Sequence, residues 1–453
     1  MSTLTTNQTK WKEYEKTIFR FFFIYFLLQA LPLDWKYFGN LFRIQWTNLH
    51  FGDIFYISRY TPQFMSGGST PGTWGLATLA DWALIAAIAL IGTAIWSIRD
   101  KKSENYNNLY YWLRVILRYR LAIGIIAYGF IKFFPLQSPL PSLSNLNTAY
   151  GDFNRWKLFS LSLGIVPGYE SFLGLVEIVV GVLLLFRKTT TFGAVIILVF
   201  TGNVFISNLA YDGGEGIYAL YLISIALFLT VYDAQRIYNL VALRKPTPAN
   251  TIAYALSKQW RTPRLVLKGL FIFFFFILYG YKTYAAYHHD IYQYPQAKGL
   301  AGFVGLYNVS DFRLNNKPLP YSQTDSTRWN DVVFEKWATI SIGSVKKYKV
   351  NTASTEEISV NDQQRNYEVN GTSGRAYYSY VADTVKQELR LKNKNSNYAA
   401  DQFTLHYTKP ENGKIILTGI SHNRDSVYVQ LDRINKKYLL QEATQGRNKA
   451  LKL

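Results

Sequence analysis

The feature that most constrains this chain is a succession of long apolar runs confined to its first 290 residues. A helix needs about 20 largely apolar residues to cross the hydrocarbon of a bilayer. Seven windows are long enough to consider: 17–33, 76–98, 113–134, 169–186, 191–210, 217–232 and 265–287. The first and sixth are the shortest. A secretory signal is an alternative for the first, but it lacks a small-residue cleavage site.

The placement of Lys and Arg supports this count. With the N-terminus inside, the inner segments carry Lys10, Lys12, Lys16 and Arg20; then Arg99, Lys101, Lys102, Arg114, Arg118 and Arg120; then Arg187 and Lys188. The last inner segment runs from Arg236 to Lys268 and holds seven more. The outer segments hold only Lys36, Arg43, Arg59, Lys132, Arg155, Lys157 and Lys282. Nineteen against seven is the positive-inside bias, and it predicts an odd number of spans, a cytoplasmic N-terminus and everything after residue 289 outside. The net charge of +20 is then explained mainly by topology and anionic lipid, and no nucleic-acid partner is expected.

From about residue 302 the apolar period changes to two, as in Phe403, Leu405, Tyr407 and in Val427, Val429, Leu431. Strands are expected at GLYNVSDF, TISIGS, KKYKVNT, EISV, NYEV, RAYYSYVA, QELRLK, QFTLHYT, KIILTGI, SVYVQLD and KYLLQ. Turn signals at Asn370-Gly371, Ser373-Gly374 and Asn412-Gly413 separate them, and the tail GRNKALKL reads as frayed. Many short strands without intervening helices predict an all-β domain, an antiparallel barrel or sandwich with a lipocalin-like period. The near-zero mean hydropathy of -0.02 is thus an apolar helical half averaged with a polar strand-rich half.

Ionisable groups inside spans are costly and need partners. Asp81 lies at the start of its window, and Arg118 and Arg120 lie within about a turn of the inner end, where anchoring is the plain alternative to function. Glu177 sits in the middle of FLGLVEIVVGVLLLF, where a carboxylate must face the bundle interior or take up a proton. It either fixes helix packing or faces a ligand. The neighbouring Gly174 and Gly181 permit close helix approach in both cases. Asn203 and Asn208 lie in the fifth window, followed by Asp212 and a tight turn holding Glu215. An outer polar pocket of Lys132, Asn208, Asp212 and Glu215 is expected.

The chain has no cysteine, so disulfides, thiolate metal sites and Cys-ligated iron–sulfur clusters are excluded. His288 and His289 are adjacent, about 100° apart on a helix, and make a poor chelate. No metal site, P-loop, HExxH or nucleophile elbow is present, so no catalytic residue is assigned.

Four blocks in the middle of the chain, YGFIKFFPLQSPLPSL, GDFNRWKLF, FLGLVEIVVGVLLLFRKTTTFGAVI and NVFISNLAYD, resemble successive parts of the DoxX family of membrane proteins. The likeness covers residues 110–240 and is to the longer, Bacteroidetes-type members with a C-terminal extracytoplasmic domain. LYNVSDFRLNNKPLP and RWNDVVFE resemble the start of that domain more loosely. The resemblance implies a four-helix core made of the third to sixth spans. Some members are subunits of a thiosulfate:quinone oxidoreductase, and others are linked to oxidative-stress membrane complexes. The family's core Arg, Lys and Glu would correspond to Arg120, Lys132 and Glu177, and its outer polar end to Asn208, Tyr211 and Asp212. After Asp212 this chain departs from the family pattern with GGEG.

The expected organisation is a cytoplasmic N-terminus (1–16), two additional spans with an outer loop (17–112), a DoxX-like core (113–235), a basic cytoplasmic linker (236–264), a last span (265–289) and a β-rich extracytoplasmic domain (290–453). The expected function is a non-catalytic scaffold or binding subunit for a lipid, an apolar ligand or another envelope protein. The alternatives are a quinone-binding subunit of a redox complex, with electrons supplied by a partner, and a transporter. The chain is expected to carry no cofactor of its own, quinone being the one it could borrow. The expected ligand-facing residues are Arg120, Lys132, Glu177, Asn203, Asn208, Asp212 and Glu215.

Overall fold

A computed structural model describes residues 10–65, 79–248, 258–290, 292–351, 361–408 and 413–440. The start of the second apolar window (76–78), the expected strand EISV, Asn412 and the tail from Gln441 lie outside the described residues. The chain divides into two compact units. Unit 1 comprises residues 1–134 and 171–286, and unit 2 comprises residues 135–170 and 287–453.

Unit 1 is helical. Its elements are α1 (Glu13–Ala30), α2 (Trp35–Arg43), α3 (Phe51–Ser58), α4 (Ala80–Arg99) and α5 (Asn107–Phe133). Two helices of unit 2, α6 (Leu143–Leu146) and α7 (Arg155–Gly164), intervene. The chain then continues with α8 (Pro167–Leu184), α9 (Thr190–Ala210), α10 (Gly216–Val231), α11 (Ala234–Val241), α12 (Arg261–Ile272) and α13 (Tyr279–His289). A π-helical stretch, Phe273–Leu278, joins the last two where the sequence is a run of phenylalanines. Helix occupies most of the described part of each of the seven apolar windows. Five helical stretches are long and apolar enough to cross a membrane: Glu13–Arg43, Ala80–Arg99, Pro167–Leu184, Thr190–Ala210 and Thr262–His289. A sixth is added if α10 and α11, bent by 71° from each other, count as one broken span.

α5 differs from these because it is the centre of the unit. Residues on every face of its second half are buried, including Leu121, Ala122, Ile125, Ile126, Ala127 and Ile131. A helix enclosed by other helices need not be uniformly apolar, and α5 carries Arg114, Arg118, Arg120 and Lys132 along its length. α8 packs closely on α5 through small residues. A Cβ on Gly174 would run into the backbone of Gly129 and Phe133, and one on Gly181 into Ile126.

Unit 2 is built on nine strands: β1 (Gly305–Leu314), β2 (Lys317–Pro318), β3 (Trp329–Phe334), β4 (Thr339–Ser344), β5 (Arg375–Asp383), β6 (Glu388–Asn393), β7 (Gln402–Tyr407), β8 (Lys414–Ser421) and β9 (Ser426–Ile434). β2 is a two-residue addition to β1. The other eight pair antiparallel in chain order, and β9 returns to β1, closing an up-and-down barrel rather than a sandwich. Its interior is filled by Tyr307, Phe312, Trp329, Phe334, Tyr378, Leu405 and Val429, among others.

Closure explains why three expected strands are not strands. KKYKVNT is irregular over its described residues, NYEV is a turn, and KYLLQ leaves the barrel after β9. With β1 and β9 paired, the barrel has no free edge to accept them. β3, not expected, takes the place between β1 and β4.

Most strands alternate, as β6 and β9 do. β4 and the first half of β5 are buried on both faces. The reason is that residues 135–170, expected as a loop within the helical core, are part of unit 2 and cover the outer wall of the barrel. Asn154 donates its N–H to Gly371 O (2.8 Å), and Ser373 donates to Asp152 O (2.8 Å). Gly371 has φ +77°, and a Cβ there would also strike Asn154 and Lys157, so the expected Asn370-Gly371 turn doubles as the seat of α7.

Candidate functional site

The polar residues of unit 1 converge on one face of α5. Arg120, Gly124, Tyr128 and Lys132 recur every four residues and therefore share a face. Arg120 is buried and donates to Ser58 O (2.9 Å), to Tyr60 O and to the Tyr221 hydroxyl (3.2 Å). Its guanidinium thus satisfies carbonyls at the C-terminal end of α3, which a helix cannot pair internally and where positive charge is favoured. Between the two, Arg59 forms an ion pair with Glu215, and the Tyr128 hydroxyl donates to the other Glu215 oxygen (2.5 Å). Glu215 directly precedes α10, where a carboxylate is favoured by the helix dipole, and its own N–H is held by Asn208 Oδ1 (3.0 Å). Gly124 leaves the space into which the Tyr218 hydroxyl projects.

One turn further along α5, Lys132 Nζ donates to Glu177 Oε1 at 2.6 Å. Both side chains are nearly enclosed, and the second oxygen, Oε2, has no hydrogen-bond partner among the described residues. The same holds for the buried Tyr218 hydroxyl. A cavity of about 460 Å³ lies beside the Ser58–Tyr60 clamp, bordered by Arg43, Arg59, Tyr37, Tyr56 and Tyr60.

The expected outer pocket of Lys132, Asn208, Asp212 and Glu215 is therefore divided. Lys132 is committed to Glu177, while Glu215 joins Arg59 and Tyr128. Asn208 belongs to the Glu215 turn, and Asp212 is exposed there with φ +55°. Asn203 is exposed on α9. Asp81, at the start of its window, holds a bend: its Oδ1 accepts the N–H groups of Phe64 and Met65, both at 2.9 Å.

Arg59, Tyr60, Tyr128, Tyr218 and Tyr221 are the residues that sequence reasoning did not single out. The signal for the first two was present. Phe51, Ile54, Phe55 and Ser58 follow a helical period, which marks α3 as a buried helix rather than part of an outer loop. Lys132 and Glu177 each lie three residues after the glycines, Gly129 and Gly174, that bring their helices together. That shared phase was a sequence clue to their pairing.

Unit 2 holds a second buried polar network. Arg375 Nε donates to Ser341 Oγ (2.9 Å), Ser341 to Ser144 Oγ (2.7 Å), and Ser144 to Glu335 Oε1 (2.5 Å). The relay runs from β5 and β4 to α6 and back to the end of β3. Burial, reinforced by Glu368, lifts the Glu335 carboxyl to about 7. Lys157 on α7 is wholly buried, donates to Tyr367 O and lies over the Tyr367 ring. Burial holds its ammonium well below the usual lysine range, with Glu368 opposing the shift. Glu368 itself pairs with Lys394 Nζ at 2.6 Å and accepts from Trp337 Nε1 (2.8 Å) and Thr339 Oγ1 (3.0 Å). These groups bind one another and fasten residues 135–170 to the barrel.

The class that fold and site define is a helical unit with several candidate membrane spans and a buried Arg–Tyr–Glu–Lys network, joined to a closed eight-stranded antiparallel barrel. Comparisons with family models, with characterised proteins and with solved structures find no match to this chain.

Proposed function

We propose that the chain is a DoxX-like multi-pass protein of the bacterial inner membrane, with seven spans, a cytoplasmic N-terminus and a periplasmic barrel. In this reading it is a non-catalytic scaffold that presents the outer surface of the barrel to a lipid or another envelope protein. The observation that carries it is the filled barrel. Tyr307, Trp329, Tyr378 and their neighbours occupy the interior, so recognition falls to the outside wall and loops rather than to a ligand in the barrel mouth. The ionisable groups of unit 1 support the same reading, because Arg120, Arg59, Glu215 and Lys132 all bind protein groups that hold helices in place.

A second reading, quinone binding, is supported by the buried Tyr218 hydroxyl, a donor able to meet a quinone carbonyl, and by the buried Glu177 Oε2, an acceptor able to meet a quinol hydroxyl. Electrons would then come from a partner, since the chain has no cysteine and no redox motif. Mass spectrometry of extracts from the purified full-length protein separates the two. The scaffold reading expects no stoichiometric quinone, and the same bound lipids in wild type and Glu177→Gln. About one quinone per chain, lost in Glu177→Gln, would replace it with the redox reading.

A further inference from the structure

We propose that unit 1 holds a binding site for a phosphoryl oxyanion, carried by a lipid headgroup or free in solution, where α5 begins, α8 ends and α10 gives way to α11. The site goes beyond the scaffold reading and uses none of its residues.

A cavity of about 640 Å³ opens there. It is lined by Arg114 and Arg118 from α5, Arg187 and Lys188 from the turn after α8, and Arg236 from α11. One acid, Asp233, borders it and accepts the Thr191 hydroxyl. Five cations around one acid repel one another, and the Nε atoms of Arg114, Arg118 and Arg236 are buried with no hydrogen-bond partner among the described residues.

Topological anchoring does not account for this arrangement. An anchoring arginine extends its head toward water, whereas Arg118 is only 6 % exposed. Arg114 is held in place with its guanidinium 3.4 Å from the centre of the Tyr232 ring. The 71° bend between α10 and α11 places Arg236 on the wall of the cavity beside them. An oxyanion with several acceptor oxygens supplies acceptors for these Nε donors, because guanidinium groups bind phosphoryl oxygens in pairs. Val115, Leu229 and Ile237 form an apolar wall on the same cavity, which suits the glycerol and first acyl carbons of a lipid. Basic pockets between spans are a known way of holding anionic headgroups.

The test uses the full-length protein in detergent, titrated with inorganic phosphate in one arm and with phosphatidic acid in the other, phosphatidylcholine serving as control. Binding is read by native mass spectrometry. Saturable binding of at least one probe is expected, weakened about tenfold or more in the Arg118→Gln, Arg236→Gln double variant. Saturation by inorganic phosphate identifies a free anion as a ligand. Saturation by phosphatidic acid alone identifies a headgroup. Arg187 and Lys188 are exposed, so the Arg187→Gln, Lys188→Gln variant should fold even if the first does not, and a several-fold loss is expected from it. Failure of both probes to saturate, or binding unchanged in the folded variants, would overturn the site.

Discussion

Arg120→Met is expected to cost unit 1 roughly 3–5 kcal/mol, a large share of the about 5–15 kcal/mol margin of an ordinary fold. The guanidinium is buried and donates to two backbone carbonyls and one tyrosine hydroxyl. Leaving such acceptors without partners costs about 1–3 kcal/mol each. The loss should also free the C-terminal end of α3, whose residues Ser58 and Tyr60 Arg120 holds. Denaturation of the detergent-purified protein, followed by helical circular dichroism, checks this. Asp212→Ala, at an exposed turn residue, should stay within about 0.5 kcal/mol. Equal midpoints for Arg120→Met and wild type would mean that the clamp on α3 has no mechanical role.

In unit 2 the largest effect is expected from separating Glu368 and Lys394. Their side chains are 0 % and 2 % exposed and meet at 2.6 Å. Removing one partner strands a buried charge, so Glu368→Met and Lys394→Met should each cost about 3–5 kcal/mol. Replacing both restores neutrality, and the double variant should be clearly more stable than the sum of the two losses implies, with a coupling of about 1–3 kcal/mol. The readout is the near-ultraviolet circular dichroism of the barrel aromatics during urea unfolding. Additive losses, or single variants close to wild type, would show that the pair does not hold the outer wall together.

Periodicity exposed much of this fold. Runs of apolar residues marked every long helix of unit 1, and the two-residue period of Phe403–Leu405–Tyr407 or Val427–Val429–Leu431 marked strands of the barrel. Each of these patterns reports a single buried face. β4 and the first half of β5 are buried on both faces by a stretch about 190–230 residues away in sequence, as in the contacts of Ser144 with Ser341 and of Asn145 with Tyr377. No local pattern carries that information. The same limit governs the site. Glu177 and Lys132 stood out as charges in apolar helices, but partnership depends on which helix faces match, and the glycine phase that fixes it is visible only when α5 and α8 are laid together. Lys157 passed as an ordinary outer lysine because its burial under Tyr367 is set by a turn some 210 residues further on.

Residues 135–170 and the barrel form one unit, and the proposed topology puts that unit outside the membrane. The absence of cysteine makes a direct measurement possible, because any introduced thiol is unique. Single variants Tyr150→Cys and Val385→Cys place thiols at highly exposed positions of unit 2, 77 % and 92 % accessible. Lys101→Cys and Lys188→Cys place them at exposed positions of unit 1 that the proposed topology puts inside. A membrane-impermeant maleimide applied to intact spheroplasts is predicted to label Tyr150→Cys and Val385→Cys at once, and Lys101→Cys and Lys188→Cys only after lysis. Labelling of Lys188→Cys from outside, or protection of either unit 2 position until lysis, would contradict the account.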